Sequence, residues 1–339
     1  MKTSQLKERI KALALECGFV GASVAEATPI SSADIFLNYL GQGYSADMEY
    51  LSNNIETRMN PALMLEGARS IICLAASCSP EVEDHGSPIS CFYRGRDYHR
   101  VLKKRAMYLC DRIMSEAGEF ASRICVDTAP VAERALAAES GLGWIGKSGM
   151  LIVPGVGNTV VLAEIITDLD LEPDKPVQPC CGDCTKCIDA CPSGAICEGG
   201  LVDARKCISY HTIENRGQVE PGLRLKIGTS VFGCDRCRDV CPYSCSGPCG
   251  DEDLAPAGYQ MPTIEDILGW DEHAWDDATR GKGLRRAKLW MFHRNGAIAA
   301  GNSRDLSLVG PLRQLRDSGG PTEEIDWALE RLSEPNGIS

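Results

Sequence analysis

No apolar run in the 339-residue chain approaches the roughly 20 residues that a membrane-spanning helix needs. The first residues, Met-Lys-Thr-Ser-Gln-Leu-Lys-Glu-Arg-Ile, carry neither the apolar core of a secretory signal nor a twin arginine, so a cytoplasmic location is expected. Positive charge is also scarce: 35 Lys and Arg stand against 47 Asp and Glu, for a net charge of −12. Binding along a phosphate backbone requires neutralising cations, so the balance argues against a broad nucleic-acid surface. The basic residues gather in two islands. One runs Arg94-Gly-Arg96-Asp-Tyr-His99-Arg100 into Lys103-Lys104-Arg105. The other runs Arg280-Gly-Lys282-Gly-Leu-Arg285-Arg286-Ala-Lys288 and ends at His293-Arg294. Composition is otherwise that of an ordinary globular protein, 44% hydrophobic and 24% charged, and the length suits two or three domains.

Cysteine, by contrast, is plentiful, with 18 in the chain. Cys181-Gly-Asp-Cys184-Thr-Lys-Cys187-Ile-Asp-Ala-Cys191-Pro192 fits the C-x2-C-x2-C-x3-C-P run of bacterial ferredoxins. A partial second run, Cys234-Asp-Arg-Cys237-Arg-Asp-Val-Cys241-Pro242, follows, with Cys207 between the two. Three closely spaced thiolates can hold three irons of one cubane, while the fourth cysteine, turned away by its proline, reaches the other cluster. That logic places Cys181, Cys184, Cys187 and Cys241 on one four-iron-four-sulfur cluster. Cys191, Cys207, Cys234 and Cys237 fall to the second, and the chain is expected to move single electrons. Zinc ribbons have no reason for three cysteines before a Cys-Pro. A disulfide framework is at odds with the length, the missing secretory signal and the scattered Cys17, Cys73, Cys110 and Cys125. Cys180, Cys197, Cys245 and Cys249 exceed what two cubanes require, and their role is open.

Hydrophobic periodicity predicts a helix over 4–17, a buried strand over 19–24, another over 70–76, a helix over 101–116 and a strand over 159–167. This alternation argues for an α/β (α+β) N-terminal domain over residues 1–175. A proline-punctuated linker, Leu171 to Pro179, leads into a ferredoxin-like two-cluster module over 176–250. Residues 251–339 read as a helical, short HEAT-like region, with helices over 263–276, 283–300 and 321–332. Gly141-Leu-Gly-Trp-Ile-Gly146-Lys147 looks superficially like a dinucleotide loop. It follows a helix rather than a strand, so its glycines are expected instead to let backbone approach a flat or anionic ligand. Asp127 lies in the apolar stretch Cys125-Val-Asp127-Thr-Ala-Pro130, where a low-dielectric pocket would raise its pKa and suit it to act as a general acid.

Several stretches together carry a family likeness. They are Arg58-Met-Asn-Pro61 with Gly67-Ala-Arg69, Arg94 to His99, Asp127-Thr-Ala-Pro-Val-Ala-Glu-Arg134 and Gly141 to Lys147. Both cysteine runs, Asp203 to Tyr210, Thr212-Ile-Glu214 and Arg294-Asn-Gly-Ala-Ile-Ala-Ala-Gly-Asn302 complete the series. In collinear order over nearly the whole chain, these resemble the epoxyqueuosine reductase family, cobalamin-dependent iron–sulfur enzymes of tRNA modification.

The resemblance implies reduction of the epoxide of epoxyqueuosine at a tRNA wobble position to queuosine. A cob(I)alamin centre, fed by the two clusters, would attack the epoxide while Asp127, matching the family's proton donor, protonates the opening oxygen. It places Arg58, Tyr98, Ser209 and the Cys234–Asp235 turn near the corrin. It also implies base-off cobalamin with no protein histidine as lower ligand. The D-x-H-x-x-G signature is indeed missing, since Asp97-Tyr-His99 and Asp271-Glu-His273 lack its glycine. His99 and His211 are expected to be packed or surface residues. The implied partners are a queuosine-type tRNA, held in part by Arg285, Arg286 and Lys288, and an external single-electron donor such as flavodoxin or ferredoxin, with no membrane. Two departures, Ala76-Ser-Cys78-Ser-Pro80 and Tyr243-Ser244 after Cys241-Pro242, bear on pocket shape. Two other readings are a reductive dehalogenase-like corrinoid enzyme acting on a small molecule and a non-enzymatic two-cluster carrier. The missing export signal disfavours the first, and the carrier leaves the α/β domain without a purpose.

Overall fold

The computed structural model describes residues 3–79, 87–244, 247, 250–255 and 260–334. Helix α1 (Thr3–Glu16) leads into β1 (Gly21–Glu26), and α2 (Ala33–Gly41) and α3 (Ile55–Met59) precede β2 (Ser70–Ser77). The long α4 (Tyr98–Ala117) is followed by β3 (Ser122–Cys125), α5 (Glu133–Glu139), a small hairpin of β4 (Trp144–Ile145) and β5 (Leu151–Ile152), and β6 (Val160–Thr167). β1, β2, β6 and β3 form one sheet in that order, each neighbouring pair antiparallel. Strands β2 and β6 are buried almost throughout because both faces of the sheet are covered. Ile72, Leu74, Ala163 and Ile165 meet Ile10 and Leu13 of α1 and Leu102 and Leu109 of α4. On the opposite face Ile71, Cys73, Ala75, Leu162 and Ile166 meet Leu136 and Ala137 of α5. Burial of each Leu or Ile contributes ~1.5–3 kcal/mol, which makes this layer the stable platform of the N-terminal half.

Expected elements recur with shifted ends. The helix expected from 101 begins at Tyr98, because the Asp97 carboxylate accepts the His99 N–H and caps it. Strand β3 escaped the periodicity because it is an edge strand of four residues with Ser122 and Arg123 exposed.

The cluster segment holds only short helices: α6 (Lys186–Asp189), α7 (Ile208–Ile213), α8 (Pro221–Ile227) and α9 (Arg236–Asp239). Beyond it lie α10 (Ile264–Leu268), α11 (Glu272–Thr279), α12 (Leu289–Ser303), α13 (Val309–Asp317) and α14 (Thr322–Ser333). The single helix expected over 263–276 is two. A Thr263–Asp266 capping box starts α10, and Asp271, just after Gly269, caps α11.

Helix α12 fastens the module to the helical region. Buried Arg294 donates to the carbonyls of Asn215 at 2.9 Å and His211 at 2.7 Å. Asn295 donates to the carbonyls of Thr212 at 2.9 Å and Val231 at 2.8 Å, and Asn302 to that of Arg224 at 2.7 Å. The Arg294–Asn302 stretch is therefore a structural staple. No helix among the described residues is long and apolar enough to cross a membrane.

Candidate active site and cluster module

Asp127 stands in the loop after β3, where the end of the sheet meets the start of α4. Its Oδ2 lies 3.0 Å from His99 Nε2, and the other nitrogen of that ring lies 2.6 Å from the Asp97 carboxylate. Tyr98 stacks on His99 with ring centroids 4.1 Å apart, and its hydroxyl bonds to Asp127. The half-exposed Asp127 side chain thus faces an opening rather than an apolar pocket. Burial acts to raise its pKa, but the hydrogen bonds from His99 and Tyr98 and the His99 charge prevail, so the carboxyl sits below its usual range. The expected upward shift is corrected accordingly. Its apolar sequence neighbours do not set its environment; the distant side chains of His99 and Tyr98 do.

His99 moves the other way. Burial opposes its charge, yet hydrogen bonds and attraction from Asp127 and Asp97 push its pKa up to about 9. At neutral pH the site therefore holds a proton on an imidazolium bracketed by two carboxylates. His99, expected as a packed or surface residue, is a partner of the candidate acid. The signal was its place two residues after a helix-capping aspartate.

Two further residues were not anticipated. The backbone N–H of Asp127 donates to the carboxylate of Glu133, the first residue of α5. Tyr93 packs edge-on against Phe232, centroids 4.8 Å apart, and its hydroxyl feels the charges of both Asp127 and Asp235. It bridges the acid site to the turn that carries Cys234. Gly233 in that turn has φ +79°, and a Cβ there would come within 2.6 Å of Ser90.

The other expected cofactor residues differ in how far their polar groups are already committed. Arg58 donates to the Tyr50 carbonyl at 3.2 Å, while its buried Nε has no partner among the described residues. Ser209 lies half-buried in α7 directly after Cys207 and Ile208. The Asp235 carboxylate is already engaged, by the Ser90 hydroxyl at 2.5 Å and the Cys91 N–H at 2.7 Å, so it braces the 88–93 segment.

Among the cysteines expected as ligands, electrostatic influence runs within two sets. Cys181 and Cys184 act on the Cys241 thiol, and Cys241 and Cys181 act on that of Cys187. Separately, Cys237 neighbours Cys234, Cys207 and Cys191. Backbone N–H groups point at several of these sulfurs, including those of Ala195 at Cys191, Tyr210 at Cys207 and Arg236 at Cys234. Such donors suit anionic thiolates bound to a cluster. Among the described residues no three His, Cys, Asp or Glu groups stand close enough to grip one metal ion. The assignment rests instead on this grouping and on the donors around it. Cys180 and Cys197 donate to the carbonyls of Gln178 and Ala195, and Cys245 and Cys249 lie outside the described residues.

The Gly141–Lys147 stretch serves its own chain rather than a ligand. A Cβ on Gly141 would lie 2.2 Å from the Lys175 carbonyl oxygen, and one on Gly143 would lie 2.2 Å from that of Ile152. Lys147 Nζ then caps the carbonyls of Gly182 at 2.7 Å and Cys184 at 3.0 Å, strapping down the first cysteine loop.

The basic islands also diverge. In the second, Arg285 pairs with Asp276 at 2.5 Å and Arg286 with Glu214 at 2.7 Å. In the first, Arg100, Lys103 and Lys104 are exposed on α4 and have no ion-pair partner among the described residues.

Two family models match the chain: a 4Fe-4S double cluster binding domain over residues 180–244, and epoxyqueuosine reductase QueG, DUF1730, over residues 58–128. An epoxyqueuosine reductase of Synechococcus sp. (strain CC9605) is 36% identical over 308 residues, 87% of this chain and 95% of the relative. An epoxyqueuosine reductase in complex with a tRNA-Tyr epoxyqueuosine-modified stem loop is 26% identical with a TM-score of 0.82, covering 97% of this chain and 99% of its own. The Bacillus subtilis epoxyqueuosine reductase, with its catalytic aspartate loop swung out of the active site, is 26% identical with a TM-score of 0.81 over the same shares. By these likenesses the chain, an oxidoreductase with a double four-iron-four-sulfur cluster domain, belongs to the epoxyqueuosine reductase family.

Proposed function

We propose that this protein reduces epoxyqueuosine at the wobble position of a tRNA to queuosine, with Asp127 presenting the proton that the opening epoxide oxygen requires. The observation that carries this reading is the Asp97–His99–Asp127 row, which keeps a proton at the mouth of a site bordered by the Cys234 turn. Asp127 faces the substrate, and His99 holds the proton until the oxygen develops charge. Tyr98 and the bracketing Asp97 fix the imidazole so that transfer is directed along one hydrogen bond.

Cys181, Cys184, Cys187 and Cys241 would hold one cluster, and Cys191, Cys207, Cys234 and Cys237 the other. Electrons from a single-electron donor such as flavodoxin or ferredoxin would pass through both. Cobalamin, when bound, supplies the nucleophilic two-electron chemistry that no side chain provides. The polar groups present suit it: Arg58 offers a buried Nε without a partner among the described residues, and half-buried Ser209 and the Cys234–Asp235 turn would supply further polar contacts. His99 and His211 each have both ring nitrogens engaged, which suits a corrinoid without a protein lower ligand. Arg100, Lys103 and Lys104, exposed within two turns of His99 on α4, would meet phosphates of the anticodon arm. In functional terms residues 1–175 carry acid and corrinoid, 176–250 the clusters and 251–339 the helical brace, and the enzyme works where tRNA is, in the cytoplasm.

The test is anaerobic reconstitution with iron, sulfide and cobalamin, followed by mass spectrometry of epoxyqueuosine-bearing tRNA. The wild-type protein removes one oxygen from the modified base. Asp127→Asn leaves it in place while the absorption of clusters and cobalamin is retained. Normal turnover by Asp127→Asn would overturn the assignment.

A further inference from the structure

Behind the acid loop lies a second pair of carboxyl groups with no part in the proton transfer described above. Glu164 sits on β6 with none of its surface exposed, directly opposite Cys73 of β2 on one side and Cys125 of β3 on the other. Neither of its carboxylate oxygens meets a donor among the described residues. Its polar neighbour is the carboxyl of Glu133, and two carboxyl groups can bond only if one of them carries a proton. The Glu133 carboxylate also receives the backbone N–H of Asp127.

Asp127 itself needs holding. Its φ of +53° lies in the left-handed region, which costs a residue other than glycine ~1–2 kcal/mol. The other hydrogen bonds within the loop are local, from Thr128 N–H to the Val126 carbonyl at 2.6 Å and from Val131 N–H to the Ala129 carbonyl at 2.8 Å. They do not tie Asp127 to the sheet. Glu133 does, through its bond to the strained residue and its contact with a side chain rooted in the central strand.

We propose that the carboxyl pair of half-buried Glu133 and fully buried Glu164 is a latch that holds the Asp127 loop in its proton-delivering position, which makes Glu133 a positioning residue. The inference rests on Asp127 being the proton donor. Burial pushes the Glu133 carboxyl up to about 7 and that of Glu164 well above its ordinary range, which supports a shared proton between them. That this loop has two positions available is indicated by the Bacillus subtilis relative, whose catalytic aspartate loop is swung out of the active site. With His99 and Tyr98 holding the Asp127 side chain, Glu133 holds its backbone, and a two-position loop can be released at either point.

Two substitutions separate a latch from a packing residue. Glu133→Met fills the same volume without an acceptor. Glu133→Gln keeps an oxygen for the Asp127 N–H and offers its amide to Glu164. Hydrogen–deuterium exchange of residues 126–132 is measured on the cluster-loaded full chain without substrate, and turnover of epoxyqueuosine-bearing tRNA alongside it. The latch predicts that Glu133→Met speeds exchange of this loop about tenfold and lowers kcat about as much, while Glu133→Gln restores both to near the wild-type values. Unchanged exchange in Glu133→Met, or equal damage by Glu133→Gln, would overturn it. Asp127→Asn serves as the control: if that variant turns over normally the acid assignment fails, and the exchange data still decide the latch.

Discussion

The cluster module and the acid site hold reactive groups by opposite means. In the module, ligand candidates sit at short fixed intervals, and backbone N–H groups of the same loops point at their sulfurs. At the acid site, Asp97 and His99 from the start of α4, Asp127 from the loop after β3 and Glu133 from α5 meet only because the sheet and its covering helices bring them together. The module depends on metal bonds for its order, while the acid site depends on the packing of the N-terminal layers. Damage to one should therefore leave the other standing.

The largest effect tests that independence from the module's side. Cys234→Ser removes a proposed cluster ligand, and is expected to lose that cluster's iron by metal analysis and all turnover. The Asp127 loop should keep its wild-type hydrogen-exchange pattern. From the other side, Asp127→Asn is expected to lower kcat about 100- to 10,000-fold, the range of a lost general acid, with iron content unchanged. If it lost iron as well, the two regions would not be separable.

A smaller effect sharpens the contrast between the two basic islands. Replacing Arg100, Lys103 and Lys104 with alanine should weaken tRNA binding and reduce its salt slope by about one for each phosphate left without its cation. Replacing Arg285 and Arg286, which are committed to Asp276 and Glu214, should change that slope little. Fluorescence titration at several salt concentrations checks both.

The smallest effect concerns stability. The carboxyl of Glu164 is raised by burial, so it stays protonated in the fold where the unfolded chain would release its proton. Its contribution is fully present below the ordinary glutamate range and is lost as pH rises through the raised folded value. Glu164→Gln should accordingly flatten the decline of Tm with rising pH in thermal unfolding, without altering iron content.

How these regions could be read from the sequence differs for the same reason. The expected cysteine grouping is read from local spacing, and the double cluster binding domain over residues 180–244 agrees with two clusters without assigning their ligands. The main strands were legible as apolar runs, whereas β3 was not, with half its residues exposed at a sheet edge. Asp127 could be singled out, but not its pKa direction, because the deciding groups are distant in the chain. Glu164 left a trace as the one charge in Val160–Thr167, a strand otherwise dominated by aliphatic residues. A carboxylate there must find a partner, although spacing could not name Glu133. The glycines of Gly141–Lys147 suggested a ligand cradle, since close approach by a neighbouring carbonyl demands the same missing side chain.

The pH dependence of single-turnover reduction, with cofactors preloaded, tests most directly the claim that the reactive proton is stored between His99 and Asp127. With His99 pushed up to about 9, the protonated pair persists below that pH and is lost above it, so the rate should be level through neutrality and fall on the alkaline side. In His99→Gln that limb should move to lower pH along with a reduced plateau. An unchanged alkaline limb in His99→Gln would contradict the account.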